Sequence, residues 1–171
     1  MVSPALQQLY DEHEVILAAS DRLRSLLESP DLPERSVELL HLLEFFGEYA
    51  DTYHHKKEEE VLFPALANTN PVMDMLTGSL IEHHTLFREA IANARSAVNA
   101  KDWNTVRSVL EKYIGELGDH ISAENDELFV AAEDVIEDRE KERIYFQFMD
   151  CDEELGTERK HEFERAVTNG K

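Results

Sequence analysis

Histidines and glutamates are the residues of this sequence whose types and spacing could do chemistry. His54 and Glu58 stand four residues apart, and His120 and Glu124 repeat that spacing at an offset of 66. Residues four apart lie on one face of an α-helix, so both side chains of a pair can reach the same site. Imidazole and carboxylate groups without a thiolate suit the binding of iron, manganese or zinc.

A second repeated pair adds one histidine to each half of the chain. Glu12-His13 is matched by Glu82-His83 at an offset of 70. Each half therefore reads as a helical hairpin, with one histidine on its first helix and a His/Glu pair on its second. The repeat predicts six residues of a metal site: His13, His54, Glu58, His83, His120 and Glu124.

Helical periodicity tests the choice within each histidine doublet. Steps of three and four back from His54 meet apolar residues, whereas the same steps back from His55 meet polar ones. Both paths are apolar for His83 and His84, so only the repeat favours His83. His55 and His84 stand beside the inward face and remain alternatives, either as groups that support the ligands or as substitute ligands.

The elements that must position these residues are predicted to be helices. Four long helices, over about residues 4–28, 35–66, 71–100 and 103–134, are joined by short connections. They indicate an all-α fold, an antiparallel up-down four-helix bundle over residues 1–134. Residues 135–171 are predicted to form a C-terminal helical extension, broken near Gly156 and packed on the bundle.

The hairpins would bring the six site residues to one level. The midpoint of His13 and His54 falls in the first predicted turn, and that of His83 and His120 falls in the second. Burying two unpaired carboxylates would cost several kcal/mol each, and no Lys or Arg is predicted on these faces at that level. Metal is therefore the expected counter-charge. Six ligands exceed a tetrahedral zinc site and suit two ions, each with two histidines, bridged by both glutamates.

Composition excludes several classes of partner. The net charge of -20 over 171 residues argues against nucleic-acid or anionic-membrane binding. The single cysteine, Cys151, excludes an internal disulfide framework. No signal peptide or membrane span is predicted, so we expect a cytoplasmic protein, whose oligomeric state the sequence leaves open.

The motifs HHKKEEEVLFP and HISAENDELF resemble those of the hemerythrin-like (HHE cation-binding) family of non-haem di-iron bundles, over about residues 5–132. The resemblance implies the six ligands named above, with Glu58 and Glu124 bridging two iron ions that share an oxo or hydroxo group. Manganese or zinc is an alternative. The oxygen-carrying members have two histidines one turn apart on the third helix, whereas Ser79 stands one turn before His83 here.

The resemblance implies that the protein binds O2, NO or peroxide at the iron pair. One alternative is a di-iron enzyme that acts on peroxide or NO, or an iron donor for iron–sulfur cluster repair. Another is a metal-stabilised structural or iron-sensing module. The histidine missing from the third helix would expose one iron, which favours reactivity over reversible binding.

Residues around the site are predicted to serve the surface or the core. Lys56, Lys57, Glu59 and Glu60 are expected mostly to face solvent. Tyr10 stands one turn before His13 and is expected either to pack in the core or to donate a hydrogen bond to the site.

Overall fold

The prediction of an all-α fold is confirmed. A computed structural model describes residues 2–67 and 69–168, in which there are six helices and no strand. Residue 1 and residues 169–171, the ends of the two predicted domains, lie outside the described residues. Helix α1 spans Pro4–Glu28, α3 spans Pro71–Ala100, α5 spans Asp138–Leu155 and α6 spans Thr157–Thr168.

Helices α2 and α4 contain π-helical turns, in which the backbone bonds skip one residue more than in an α-helix. Helix α2 begins as Ser36–Phe45, continues as the π-helical segments Phe46–His55 and Glu58–Leu62, and ends as Phe63–Leu66. Helix α4 runs through Trp103–Ala123, the π-helical Glu124–Leu128 and Phe129–Val135. The π-helical turns contain His54, Glu58 and Glu124 of the two His/Glu pairs that the sequence singles out, and His120 lies one turn before the third.

Local chemistry fixes where the third and fourth helices begin. The Asn70 side-chain oxygen accepts two backbone N–H bonds of 3.0 Å from the first turn of α3, and Pro71 follows at the first helical position. Asp102 accepts a 3.2 Å bond from the Thr105 backbone N–H at the start of α4. Between them Lys101 takes a left-handed conformation, with φ of 58°, which ends α3 and turns the chain directly into α4.

The first four helices contact one another in a ring, α1 with α2, α2 with α3, α3 with α4, and α4 with α1. Two separate apolar clusters form the core. One cluster contains Leu9 and Leu62, which stand before His13 on α1 and after His54 on α2; the other contains Ile16, on the far side of His13. The histidine level therefore divides the core. This is the arrangement that the predicted up-down bundle requires, although the topology itself stays a prediction.

Helices α5 and α6 pack against the bundle, α5 on α1 and α2 and α6 on α1. The side chain of Phe148 on α5 is fully buried and belongs to the same apolar cluster as Leu9 and Leu62. The division of the chain after residue 134 stays a prediction. Among the helices of the described residues, none combines the length and the apolar character needed to cross a membrane.

The contribution of α5 to the core can be measured with two phenylalanines of that helix. Phe148 is 0% exposed and Phe146 is 57% exposed. We expect Phe148→Ala to lower the free energy of unfolding by about 3–5 kcal/mol, because it leaves a cavity. Phe146→Ala should change it by about 0.5 kcal/mol or less. Denaturant titration of both variants compares them, and equal effects would mean that α5 does not share the core.

Candidate metal centre

Buried histidine and glutamate side chains converge from the four bundle helices. Their possible ligand atoms form two groups, in each of which the atoms lie within 4.8 Å of one another, and Glu58 belongs to both groups. None of these side chains exposes more than 2% of its surface. The first group comprises His13, His54, Glu58 and Glu124, and the second comprises His55, Glu58, His84 and His120.

Both carboxylates lie between the two groups. Glu58 Oε1 is 3.4 Å from His54 Nε2, whereas its Oε2 is 3.5 Å from His84 Nε2. Glu124 Oε2 is 3.2 Å from His13 Nε2 and 3.3 Å from His120 Nε2. Glu58 thus presents one oxygen to each group, whereas Glu124 presents the same oxygen to a histidine of each; bridging of two ions by these carboxylates stays a prediction.

The carboxylate oxygens of this centre face imidazoles but make no hydrogen bond to any described residue. All four oxygens of Glu58 and Glu124, together with His13 Nε2, are buried and have no hydrogen-bond partner in the described structure. Burial and the adjacent Glu124 raise the pKa of Glu58. Because unpaired buried carboxylates are strongly unfavourable, the donor set fits bound divalent cations.

In the first group, outer hydrogen bonds orient the imidazoles. His54 Nδ1 lies 2.8 Å from Glu12 Oε2, and His13 Nδ1 lies 2.7 Å from Asn125 Oδ1. Tyr10 donates a 3.0 Å hydrogen bond to the backbone carbonyl of Asn125, so it supports the site from outside rather than entering it. Acceptors at Nδ1 favour a proton there, so that Nε2 would be free to bind an ion, the usual arrangement of a metal-binding histidine. Without an ion, Glu58 and Glu12 outweigh the effect of burial and raise the pKa of His54 to about 10.

The second group is supported by acids that share one arginine. His84 Nδ1 lies 2.8 Å from Glu59 Oε1, and His55 Nδ1 lies 3.3 Å from Asp51 Oδ1. Arg88 donates to both acids, at 2.6 Å to Glu59 and 2.7 Å to Asp51. The expectation that Glu59 mainly faces solvent is therefore corrected, because its carboxylate holds His84.

His84, and not His83, completes the second group. His83 is partly exposed, outside both groups, and its Nδ1 lies 3.4 Å from Nδ1 of His120. His84 Nε2 instead lies 3.0 Å from His120 Nε2. The structure therefore replaces the predicted His83 by His84; metal binding by either residue stays a prediction.

The environments of the two halves explain this correction. Glu12 lies beside His54 as His83 lies beside His120, so the pair Glu12-His13 corresponds to His83-His84, an offset of 71. The neighbouring core residues follow the same offset, since Leu9 matches Leu80 and Ile16 matches Phe87, each pair in one apolar cluster. An alignment of the identical pairs Glu12-His13 and Glu82-His83 gives an offset of 70 instead. The midpoint between the histidines of a hairpin cannot distinguish offsets of 70 and 71, because it locates the turn only to within one residue.

His55 joins the site because α2 is π-helical there. A wider turn brings adjacent residues to the inner face, so that both His54 and His55 are buried. The His55 ring stacks on His84 with centroids 3.8 Å apart and planes 12° apart. Burial lowers the pKa of His55, which favours the neutral imidazole that metal binding requires.

Lys57 also departs from the expectation that it faces solvent. Its side chain is fully buried, and Nζ bonds to Glu12, Tyr53 and Asp152. It lies on the outer side of the first group, against the acid that holds His54, and leaves the oxygens of Glu58 unpaired. A regular α-helix would place Lys57 on the outer face. The π-helical turns on either side of Lys57 change that register, and its side chain is buried.

Comparisons with known proteins agree with this geometry. Residues 5–132 match the family model described as the hemerythrin HHE cation binding domain. This stretch contains every residue of the two groups. No curated protein and no solved structure matches the chain significantly.

The histidine doublet on α3 supplies a direct test of the second group. We expect His84→Ala to weaken metal binding there by more than about 100-fold, because it removes an inward donor, whereas His83→Ala should cost at most the 10–100-fold typical of an outer neighbour. Calorimetric titration of each variant with Zn²⁺ measures the difference. A larger loss with His83→Ala would restore the assignment made from the repeat.

Glu58 is the residue shared by the groups, so its loss should affect both. We expect Glu58→Gln to weaken binding of both ions, because it removes a negative donor from each group. Glu60→Gln, an exposed glutamate on the same helix, should leave both unchanged. The metal content of each purified protein is the measurement. Retention of two ions per chain by Glu58→Gln would contradict the bridging assignment.

Proposed function

Because the chain belongs to the hemerythrin HHE cation-binding domain family, we propose that it holds two iron ions at a carboxylate-bridged centre, where it binds O2, NO or peroxide. One observation carries the proposal, the four unpartnered oxygens of Glu58 and Glu124 between inward-facing imidazoles. Imidazole and carboxylate donors without thiolate suit iron, and manganese or zinc could occupy the same donors. An iron pair would supply the electrons that such ligands accept on binding.

The two groups differ in the number of imidazoles, and this difference favours the first group as the place where the ligand binds. His13 and His54 serve the first group, whereas His55, His84 and His120 serve the second. If both carboxylates and one solvent oxygen served both ions, the first group would offer five donors and the second would offer six. The ion held by His13 and His54 would then have room for one further ligand. His55 also takes the place of the imidazole that the third helix lacks, which weakens the argument for an exposed, reactive iron.

Apolar side chains near the first group would protect a bound ligand from water. Leu62 and Leu128 stand four residues after Glu58 and Glu124, respectively, and are fully buried. The Phe129 ring stacks on His13, with centroids 5.4 Å apart and planes 14° apart. Phe129 also lines a surface cavity of about 210 Å³ together with Tyr10. This ring therefore contacts both the cavity and His13, a candidate ligand of the first group.

Reversible ligand binding is the test of the main proposal. The protein loaded with Fe(II) without oxygen should form an absorbing adduct with O2 that disappears under vacuum, and a stable adduct with NO. Oxidation without an adduct would exclude oxygen binding. Sustained consumption of peroxide or NO, lost in His120→Ala, would favour the enzymatic alternative. A rise in melting temperature on metal binding, with no ligand adduct, would leave the structural or sensing role.

Two phenylalanines that stack on histidines test where the ligand enters. Phe129 stacks on His13, and Phe63 stacks on His84 with centroids 6.0 Å apart. We expect Phe129→Ala to accelerate the association of azide with the iron-loaded protein, because it opens the cavity toward the first group. Phe63→Ala is the matched control and should change the rate little, since its group offers six donors. Stopped-flow absorbance measures both rates. Equal acceleration would contradict entry past Phe129.

A further inference from the structure

Lys57 is a buried cation with all its hydrogen-bonding capacity used. Its side chain is 0% exposed, and Nζ donates to Glu12 Oε1 at 2.6 Å, to the Tyr53 hydroxyl at 2.7 Å and to Asp152 Oδ1 at 2.7 Å. The Tyr53 hydroxyl is also 2.7 Å from Glu12 Oε1 and 2.5 Å from Asp152 Oδ1. One positive charge is thus shared by two acids.

Glu12 connects this cluster to the metal centre, because its two oxygens have different partners. Oε1 bonds to Lys57 and Tyr53, and Oε2 lies 2.8 Å from His54 Nδ1. Whatever changes the charge that Lys57 presents to Glu12 therefore changes how strongly Glu12 holds the imidazole of His54.

Asp152 comes from outside the matched family domain, which ends at residue 132. It lies on α5, and three other helices hold it in place. Gln8 of α1 donates to its two oxygens at 3.0 and 3.1 Å, and Lys160 of α6 donates to Oδ2 at 3.2 Å. Lys57 of α2 completes the set.

We propose that Asp152 is a positioning residue for the first metal group and that the C-terminal extension thereby sets the properties of His54. Asp152 takes part of the charge of Lys57, so that Glu12 keeps its second oxygen on His54. Without that carboxylate, Lys57 pairs with Glu12 alone and draws its charge away from the imidazole. The histidines of the second group are held instead by Glu59 and Asp51, so the loss of the Asp152 carboxylate should not affect them. For the metal itself this inference rests on the proposed function.

The helix that carries Asp152 also provides a matched control. Glu154 is an acid two residues later that pairs with Lys56, the neighbour of Lys57, and its side chain is 63% exposed. We expect Asp152→Asn to weaken binding at the first position about tenfold and to leave the second position unchanged. Glu154→Gln should change neither. Calorimetric titration of the whole protein with Zn²⁺ gives both affinities, with His13→Ala and His84→Ala identifying the two positions.

A metal-free measurement separates this inference from the proposed function. In the metal-free protein labelled with ¹⁵N-histidine, Asp152→Asn should shift the ring-nitrogen resonances of His54 and leave those of His84 in place. If the unaltered protein binds no metal, the proposed function fails, and these resonances still decide the role of Asp152. Unchanged His54 resonances, an equal loss of affinity at both positions, or the same effects in Glu154→Gln would overturn the inference.

Discussion

The structure depends on the burial of two carboxylates, Glu58 and Glu124, beside each other in the core. No packing requirement places unpaired charges at that depth, and their oxygens find no donor among the described residues. The surrounding structure is arranged around this constraint. The apolar core is divided into two clusters at the histidine level, and the two helices that carry the glutamates become π-helical where they pass it.

The two ligand groups orient their imidazoles in different ways. In the first group Glu12 holds His54 and is itself held by a buried lysine, which also bonds to Asp152 of the C-terminal extension. In the second group Glu59 and Asp51 share Arg88, whose side chain is 40% exposed. A buried ion pair resists screening by salt, whereas an exposed one is weakened by it. The orientation of the first group should therefore be the less sensitive to ionic strength.

The sequence was sufficient for the all-α fold and for five of the inward-facing residues, because helical periodicity and the repeat report the same buried face. It was insufficient where the backbone departs from 3.6 residues per turn. His55 and Lys57 are buried because of π-helical turns, which the pattern of side chains in the sequence does not predict. The expectation that His83 rather than His84 faces inward is wrong for another reason: Glu12 and His83 occupy equivalent positions although their chemistry differs, so aligning identical residues shifted one half by a residue.

The position of His55 on α2 has a consequence for how the two sites communicate. Helix α2 contributes His54, His55 and Glu58 and so belongs to both groups, whereas α1 serves only the first and α3 only the second. Ordering α2 costs conformational entropy once. If two ions bind as proposed, an ion at either position would bear that cost on behalf of the other, and the second ion should bind more tightly than the first. A helix shared in this way would make the centre cooperative, filled by pairs of ions rather than singly.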